Sequence, residues 1–81
     1  MKKKISVICP CFNEELVIRE FFNELMLCIK KIKKYNWEII FIDNNSTDKT
    51  VEYLAALANR NKSVKVILNK LRGTKDFHLV F

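Results

Sequence analysis

The alternation of apolar and polar residues along the chain predicts three strands separated by two helices. Residues 5–9, 38–42 and 63–68 are short apolar runs, which is typical of strands. After the first run, apolar residues recur every three or four positions, which predicts one face of a helix that ends near residues 34–36. This face consists of Ile18, Phe21, Phe22, Leu25, Ile29 and Ile32. A shorter stripe predicts a second helix that ends near residues 59–61; it consists of Val51, Leu54, Ala55 and Ala58.

The resulting β-α-β-α-β order predicts an α/β fold in which parallel strands are joined by right-handed crossovers, as in one half of a Rossmann-like sheet. Both crossover helices then cover the same face of the sheet. Because the second strand is apolar on both faces, we expect one face to lack a cover. We also expect the first strand to leave an open apolar edge. Residues 69–74 are expected to form a loop, and residues 75–81 fit either a helix or a strand.

The length of 81 residues allows one small domain. The apolar run after the N-terminal lysines is interrupted at Pro10, which is too early for a secretory signal. No apolar run approaches the ~20 residues that a membrane-spanning helix needs, so we expect a cytoplasmic protein. Cys9, Cys11 and Cys28 form neither an even set nor a zinc-ligand pattern, which favours reduced, structural thiols.

The charge balance is basic, with 15 Lys and Arg residues against 9 Asp and Glu residues and a net charge of +6. Such a charge suits a nucleic acid or an anionic membrane surface, but no nucleic-acid-binding motif accompanies it. The one lysine cluster, at residues 30–34, falls where the first helix is expected to end, and cations there complement the helix dipole. We therefore expect no nucleic-acid partner.

Candidate ligand-binding residues follow the predicted strands. Ligands of open α/β sheets bind beyond the carboxyl ends of the strands, which here are followed by residues 10–14, 43–46 and 69–73. Phe12 offers a flat apolar surface, and Glu14, Asp43 and Asn44 can accept hydrogen bonds from a base or a ribose. Gly73 is the only glycine, which excludes the glycine-rich motif of dinucleotide-binding folds and the P-loop.

Each candidate also has a purely structural interpretation. Asn13 is a typical helix N-cap residue, and for Asn13 we favour that role. Glu14 suits a helix N-terminus equally well, and Phe12 suits a core position. An Asx-turn accounts for Asp43 or Asn44 alone more easily than for the pair. The residues interpreted as having no site role are Asn69, Arg72 and His78.

Two sequence motifs resemble those of family 2 glycosyltransferases. Residues 5–15, Ile-Ser-Val-Ile-Cys-Pro-Cys-Phe-Asn-Glu-Glu, resemble the opening of these enzymes, an apolar strand followed by Pro-x-Tyr-Asn-Glu. Residues 38–50, Glu-Ile-Ile-Phe-Ile-Asp-Asn-Asn-Ser-Thr-Asp-Lys-Thr, are similar to their second signature, E-I-I-x-V-D-D-G-S-x-D-x-T. The resemblance extends over residues 3–70. Within the family, the sequence is similar to the polyprenyl-phosphate glycosyltransferase branch.

The resemblance implies a Rossmann-like domain that binds a nucleotide-sugar donor. In the complete enzyme, the sugar passes to an acceptor such as a polyprenyl phosphate or a glycan, at the inner face of the membrane and in cell-envelope glycan synthesis. The residues placed at the nucleotide-sugar site are Pro10, Phe12, Glu14, Ile42, Asp43 and Asn44. Phe12 replaces the usual tyrosine, and Asn44 replaces the commoner aspartate, which leaves the base preference open. Asn45 replaces a frequent glycine and tolerates the left-handed backbone conformation.

The resemblance also implies a divalent metal ion, Mg or Mn, held in the family by an Asp-x-Asp motif on a later strand. Asp43, Asp48 and Asp76 do not have that spacing. We therefore expect residues 1–81 to be the N-terminal, nucleotide-binding part of an incomplete glycosyltransferase domain. This part is expected to have no catalytic or metal-binding residues and to be inactive alone. The alternative is a non-catalytic interaction module that uses the open sheet edge.

Overall fold

The computed structural model describes residues 2–69 and 78–80, which form one four-stranded sheet and two helices. In chain order the elements are β1 (Lys3–Cys11), α1 (Ile18–Lys31), β2 (Tyr35–Asp43), α2 (Thr50–Arg60), β3 (Val64–Asn69) and β4 (His78–Val80). The sheet order is β1-β2-β3-β4, in which β1, β2 and β3 are parallel and β4 is antiparallel to β3. The predicted β-α-β-α-β order and parallel sheet are confirmed.

The ends of the elements differ in places from the sequence prediction. α1 ends at Lys31, earlier than predicted, and Ile32 is already extended with φ −108° and ψ 95°. β2 begins at Tyr35, which pairs with Lys3 at the start of β1, so strand pairing takes precedence over helix elongation here. Residues 78–80 form a strand, whereas the loop expected at residues 70–74 lies outside the described residues.

The core lies between the two helices and one face of the sheet. Alternate residues of each strand point to this face, and Phe41 of β2 is 0% exposed at its centre. Phe22 of α1 packs against Phe41 with the ring centroids 6.3 Å apart, and Leu54 is the fully buried apolar residue of α2. The apolar stripes therefore face the sheet as predicted, except that Phe21 of α1 and Ile32, just after the end of α1, remain 45% and 44% exposed.

The opposite face of the sheet has no covering helix among the described residues. Ile8 is 52% exposed on this face, and Ile40, Ile42 and Ile67 are only half-buried. In the part of the chain that the structure describes, β1 pairs with β2 alone, so the other edge of β1 is open. Within residues 2–69 and 78–80, this arrangement agrees with the expected uncovered face and open edge at the first strand.

A charged cluster connects the three parallel strands near their amino ends. The Glu38 carboxylate accepts a hydrogen bond from Ser6 Oγ at 2.8 Å and forms an ion pair with Lys65 Nζ at 2.9 Å. A second ion pair joins Glu38 to Lys4 Nζ at 3.6 Å. The hydrogen bonds from Lys65 and Ser6 lower the pKa of Glu38. Because a slip of one residue would turn these side chains to the other face, the cluster favours the observed register.

Candidate functional site

Two loops meet at the carboxyl ends of β1 and β2. Residues 12–17, between β1 and α1, are loop A, and residues 44–49, between β2 and α2, are loop B. The loops are neighbours because β1 and β2 are parallel and end in register, with Cys11 opposite Asp43. The Asn44 N–H donates to the Cys11 carbonyl oxygen at 2.8 Å, which extends the pairing into loop B. The two motifs found in the sequence therefore lie side by side.

The first connection between the loops passes through Ser46. Its hydroxyl oxygen accepts a hydrogen bond from the Asn13 N–H at 2.9 Å and donates one to Asp43 Oδ1. The Ser46 N–H donates to Asp43 Oδ2 at 2.9 Å, so both carboxylate oxygens of Asp43 accept hydrogen bonds within loop B. Asp43 is 1% exposed. The side chain of this predicted site residue therefore shapes loop B from the inside.

The second connection has the same form and passes through Thr50, the first residue of α2. Thr50 Oγ1 accepts a hydrogen bond from the Glu14 N–H at 2.8 Å and donates one to Asp48 Oδ1. Asp48 also accepts the N–H groups of Thr50 at 2.9 Å and Glu15 at 3.2 Å. The Lys49 N–H in turn donates to Glu15 Oε1 at 2.9 Å. Burial raises the pKa of Asp48, but the hydrogen bonds from Thr50 and Glu15 outweigh it and lower the pKa overall.

Asn13 is not the N-cap of α1, so that prediction is wrong. α1 begins only at Ile18, and Val17 stands at its N-cap position. Asn13 has a φ of 49°, and its side-chain oxygen accepts the Thr47 N–H at 2.8 Å. Asparagine suits this position because it tolerates the left-handed region better than most residues and carries a short acceptor. Asn45 of loop B is also left-handed, with a φ of 62°, in agreement with the sequence expectation.

Three predicted site residues lie in the two hydrogen-bonded loops and are called the rim: Phe12 and Glu14 of loop A, and Asn44 of loop B. Phe12 is 47% exposed, so its interpretation as a core residue is wrong, and Glu14 and Asn44 are half-buried. The Asn69 side-chain N–H donates to Asn44 Oδ1 at 3.3 Å and thereby orients the Asn44 amide. Asn69 was interpreted from the sequence as an ordinary loop residue, but it is the last residue of β3 and belongs to this rim.

The other predicted site residues lie elsewhere at the same end of the sheet. Pro10 and Ile42 are opposite each other in register on the uncovered face, where Pro10 is exposed and Ile42 half-buried. The structure thus places Phe12, Glu14 and Asn44 in two adjacent loops and turns Asp43 inward. Ser46, Asp48 and Thr50 also connect the loops but were not predicted as site residues. Their signal was the run of hydroxyl and carboxylate side chains at residues 43–50.

An apolar groove borders loop A. It has a volume of about 400 Å³ and runs along the open edge of β1 to Glu14. Val17 and Phe21, at and after the start of α1, form its other wall. The groove therefore continues the open edge of the sheet toward the rim formed by Phe12, Glu14 and Asn44.

The three thiols are expected to differ sharply in reactivity. Burial raises the pKa of Cys11 to about 12, helped by the negative charges of Cys9, Glu14 and Asp43, and burial also raises the pKa of Cys9. Because the thiolate is the reactive form, only about one Cys11 thiol in ten thousand is ionised near pH 8. Iodoacetamide should therefore modify the exposed Cys28 and leave Cys9 and Cys11 intact, as counted by mass spectrometry. The Cys28→Ser variant should react only after unfolding. Rapid alkylation of this variant in its folded state would contradict the burial of Cys9 and Cys11.

Metal ligands are not grouped in the described part of the chain. Residues 2–69 and 78–80 contain no group of three or more His, Cys, Asp and Glu residues that could hold a metal ion. Asp43 and Asp48, the aspartates at the loops, accept the hydrogen bonds given above. These residues do not fit a divalent ion, so no chemical step through a metal is assigned to them. Within the same residues, no helix is long and apolar enough to cross a membrane.

Comparison with known proteins gives a family match over most of the chain. The model of the family Glycosyl transferase family 2 matches residues 6–75. An uncharacterized glycosyltransferase, YkcC, of Bacillus subtilis is 34% identical over 62 residues, which are 76% of this chain and 19% of that protein. Dolichol-phosphate mannosyltransferase of Saccharomyces cerevisiae is 34% identical over 68 residues, 84% of this chain and 26% of that protein.

A third relative is also named as a transferase. The undecaprenyl-phosphate 4-deoxy-4-formamido-L-arabinose transferase of Pectobacterium atrosepticum is 33% identical over 73 residues, which are 88% of this chain and 22% of that protein. The chain thus spans between 19% and 26% of the length of these three curated relatives. The match includes both loops and every residue of the rim.

Proposed function

The chain belongs to glycosyl transferase family 2, and from this we propose that it binds the nucleotide of a nucleotide-sugar donor, whose sugar the complete enzyme transfers to an acceptor. The hydrogen-bonded contact between loops A and B carries the proposal. This contact holds together the two loops that carry Phe12, Glu14 and Asn44, at the carboxyl ends of parallel strands. Ligands of open α/β sheets bind at this end of the strands.

Each side chain of the rim suits one part of a nucleotide. The exposed Phe12 ring can stack on a base, an interaction worth about 1–3 kcal/mol. The Glu14 carboxylate can accept hydrogen bonds from ribose hydroxyls, and the Asn44 amide can both donate to and accept from a base edge. The two loops are hydrogen-bonded to each other by the protein's own groups, so binding needs little further ordering of the backbone.

For the acceptor we propose a polyprenyl phosphate. Two relatives are named as transferases that act with dolichol phosphate and undecaprenyl phosphate, one from yeast and one from a bacterium. Such an acceptor resides in a membrane, so the complete enzyme would work at a membrane surface. We propose the inner face of the membrane and the synthesis of cell-envelope glycans as its setting.

We further propose that residues 1–81 bind the donor and do not transfer the sugar by themselves. The three relatives are about three to four times as long as this chain, since the 62, 68 and 73 matched residues make up 19%, 26% and 22% of them. In this proposal, the acceptor site and the catalytic base belong to other parts of the complete enzyme. A divalent cation, Mg or Mn, would there neutralise the leaving diphosphate.

Titration of the labelled 81-residue chain with UDP and GDP is expected to shift the amide signals of the rim. In heteronuclear NMR spectra, Phe12, Glu14 and Asn44 should show the largest saturable shifts, because their side chains surround the proposed nucleotide position. The Phe12→Ala variant should bind at least about fivefold more weakly, since a lost base stack costs about 1–3 kcal/mol. A folded sample without shifts at millimolar nucleotide would refute the proposal.

The Phe12→Tyr variant is the matched control. It retains the aromatic ring and adds the hydroxyl that family members usually carry at this position. Its affinity should therefore equal or exceed that of the parent chain. Equal weakening in the alanine and tyrosine variants would show that Phe12 does not stack on the base.

A further inference from the structure

A second concave surface lies between α1 and α2, apart from loops A and B. Its volume is about 340 Å³, and none of the residues that line it is acidic. The lining residues are Arg19, Asn23, Tyr53, Ala56, Leu57 and Arg60. We call this surface the interhelical groove.

Arg19 is held in the interhelical groove by an aromatic contact. Its guanidinium carbon lies 4.2 Å from the centroid of the Tyr53 ring. Such a contact uses the face of the guanidinium and leaves the N–H donors at its rim for other acceptors. The ion pairs among residues 2–69 and 78–80 are those that Glu38 makes with two lysines, so Arg19 has no carboxylate partner there.

Arg60 lies on the same face of α2 as the residues that meet α1. Tyr53, Leu57 and Arg60 recur at four- and three-residue spacing, which aligns their side chains along the helix. Arg60 is in the last turn of α2, where its charge also complements the helix dipole. Like Arg19, it has no carboxylate partner among the described residues. Two unpaired guanidinium groups and the Asn23 amide therefore share one groove.

The chemistry of the interhelical groove favours an anion with several oxygen atoms. Guanidinium groups donate two parallel hydrogen bonds to phosphate oxygens. The net charge of +6 attracts anions to the whole molecule. We propose that the interhelical groove binds a phosphoryl group, as a phosphate monoester or a diphosphate, between Arg19 and Arg60. This site is separate from the rim that is proposed to bind the nucleotide.

Titration of the labelled 81-residue chain with inorganic pyrophosphate tests the site. The Asn23 side-chain amide and the backbone amides of Tyr53 and Leu57 should shift saturably. The doubly substituted variant R19Q/R60Q should bind at least about tenfold more weakly, because both guanidinium groups are lost. The R19K/R60K variant should bind several-fold more weakly, since lysine retains the charge but not the planar donor pair.

The matched control removes the same charge outside the groove. The variant K30Q/K31Q, at the end of α1, should bind pyrophosphate within about twofold of the parent chain. Equal weakening in R19Q/R60Q and K30Q/K31Q, or shifts confined to loops A and B, would overturn the proposal.

Vesicles separate the two sources of a phosphoryl group. Cosedimentation with phosphatidic acid vesicles that is lost in R19Q/R60Q assigns the groove to a lipid headgroup. Pyrophosphate binding in the groove without vesicle binding assigns it to a soluble phosphate. Absence of binding to both probes would refute the site.

Discussion

Replacing Phe41 with alanine is expected to remove most of the free energy of unfolding. Phe41 is 0% exposed and packs against the ring of Phe22, at the point where α1 meets the sheet. Truncating a buried phenylalanine costs about 3–5 kcal/mol, because transfer energy is lost and a cavity remains. Small domains lie toward the lower end of the usual ~5–15 kcal/mol of total stability. Urea unfolding followed by circular dichroism should show a transition shifted far to lower urea, or none.

The Phe21→Ala variant is the matched control for Phe41→Ala. It makes the same chemical change one residue before Phe22, but Phe21 is 45% exposed. Its loss of stability should be less than about 1.5 kcal/mol, because little surface returns to water. A similar loss of stability in the two variants would contradict the burial of Phe41. It would also contradict the orientation in which Phe22, and not Phe21, faces the sheet.

The elements that the sequence predicted correctly depend on short-range periodicity. Leu54 could be assigned to a buried face because the apolar residues of a helix recur at three-to-four spacing. Phe41 lies in a strand that is apolar on both faces, so the sequence placed it in the sheet without showing which face is buried. The uncovered face was also predictable, since Ile40 and Ile42 flank Phe41 on the opposite side of the same strand. The C-terminal end of α1 was not predictable from the residues of α1, because the pairing of Tyr35 with Lys3 decides it.

The polar residues of the site show where this local reasoning fails. Asn13 was interpreted as an N-cap because its sequence neighbours favour a helix start. Its side-chain oxygen instead accepts a hydrogen bond from the N–H of Thr47, which is 34 residues away. Asn69 likewise reaches Asn44 across 25 residues. A sequence shows that a polar side chain needs a partner, but the partner is chosen by the parallel pairing of β1, β2 and β3.

Two of the connections between the loops, those through Ser46 and Thr50, have one chemical form. In each, a backbone N–H of loop A donates to a hydroxyl group, and the hydroxyl donates to a carboxylate. Ser46 provides the hydroxyl in one connection and Thr50 in the other. Because an ionised carboxylate only accepts, each hydroxyl proton has a fixed partner, and its lone pairs face loop A. The backbone on either side of Asn13 is therefore held before any nucleotide binds.

The Thr50→Val variant is expected to loosen loop A and to weaken nucleotide binding. Thr50 is 0% exposed, and valine has nearly the same shape but lacks the hydroxyl that accepts the Glu14 N–H. A buried N–H left without an acceptor costs about 1–3 kcal/mol. Hydrogen exchange of the Glu14 amide should accelerate by about tenfold or more, since each ~1.4 kcal/mol corresponds to a factor of ten. The affinity for UDP or GDP should fall several-fold, because Phe12 and Glu14 lose their preorganised positions.

Thr47→Val makes the same substitution elsewhere in loop B and serves as the control. The Thr47 hydroxyl is exposed and only 3.4 Å from Asn13 Oδ1, while its backbone N–H keeps the 2.8 Å hydrogen bond to that oxygen. This variant should lose less than about 0.5 kcal/mol of stability and retain its nucleotide affinity. If Thr50→Val destabilised the protein but left the Glu14 exchange rate and the nucleotide affinity equal to those of Thr47→Val, Thr50 would support only α2. A joint change in exchange and affinity, confined to Thr50→Val, would show that the hydroxyl connection positions the rim for the nucleotide.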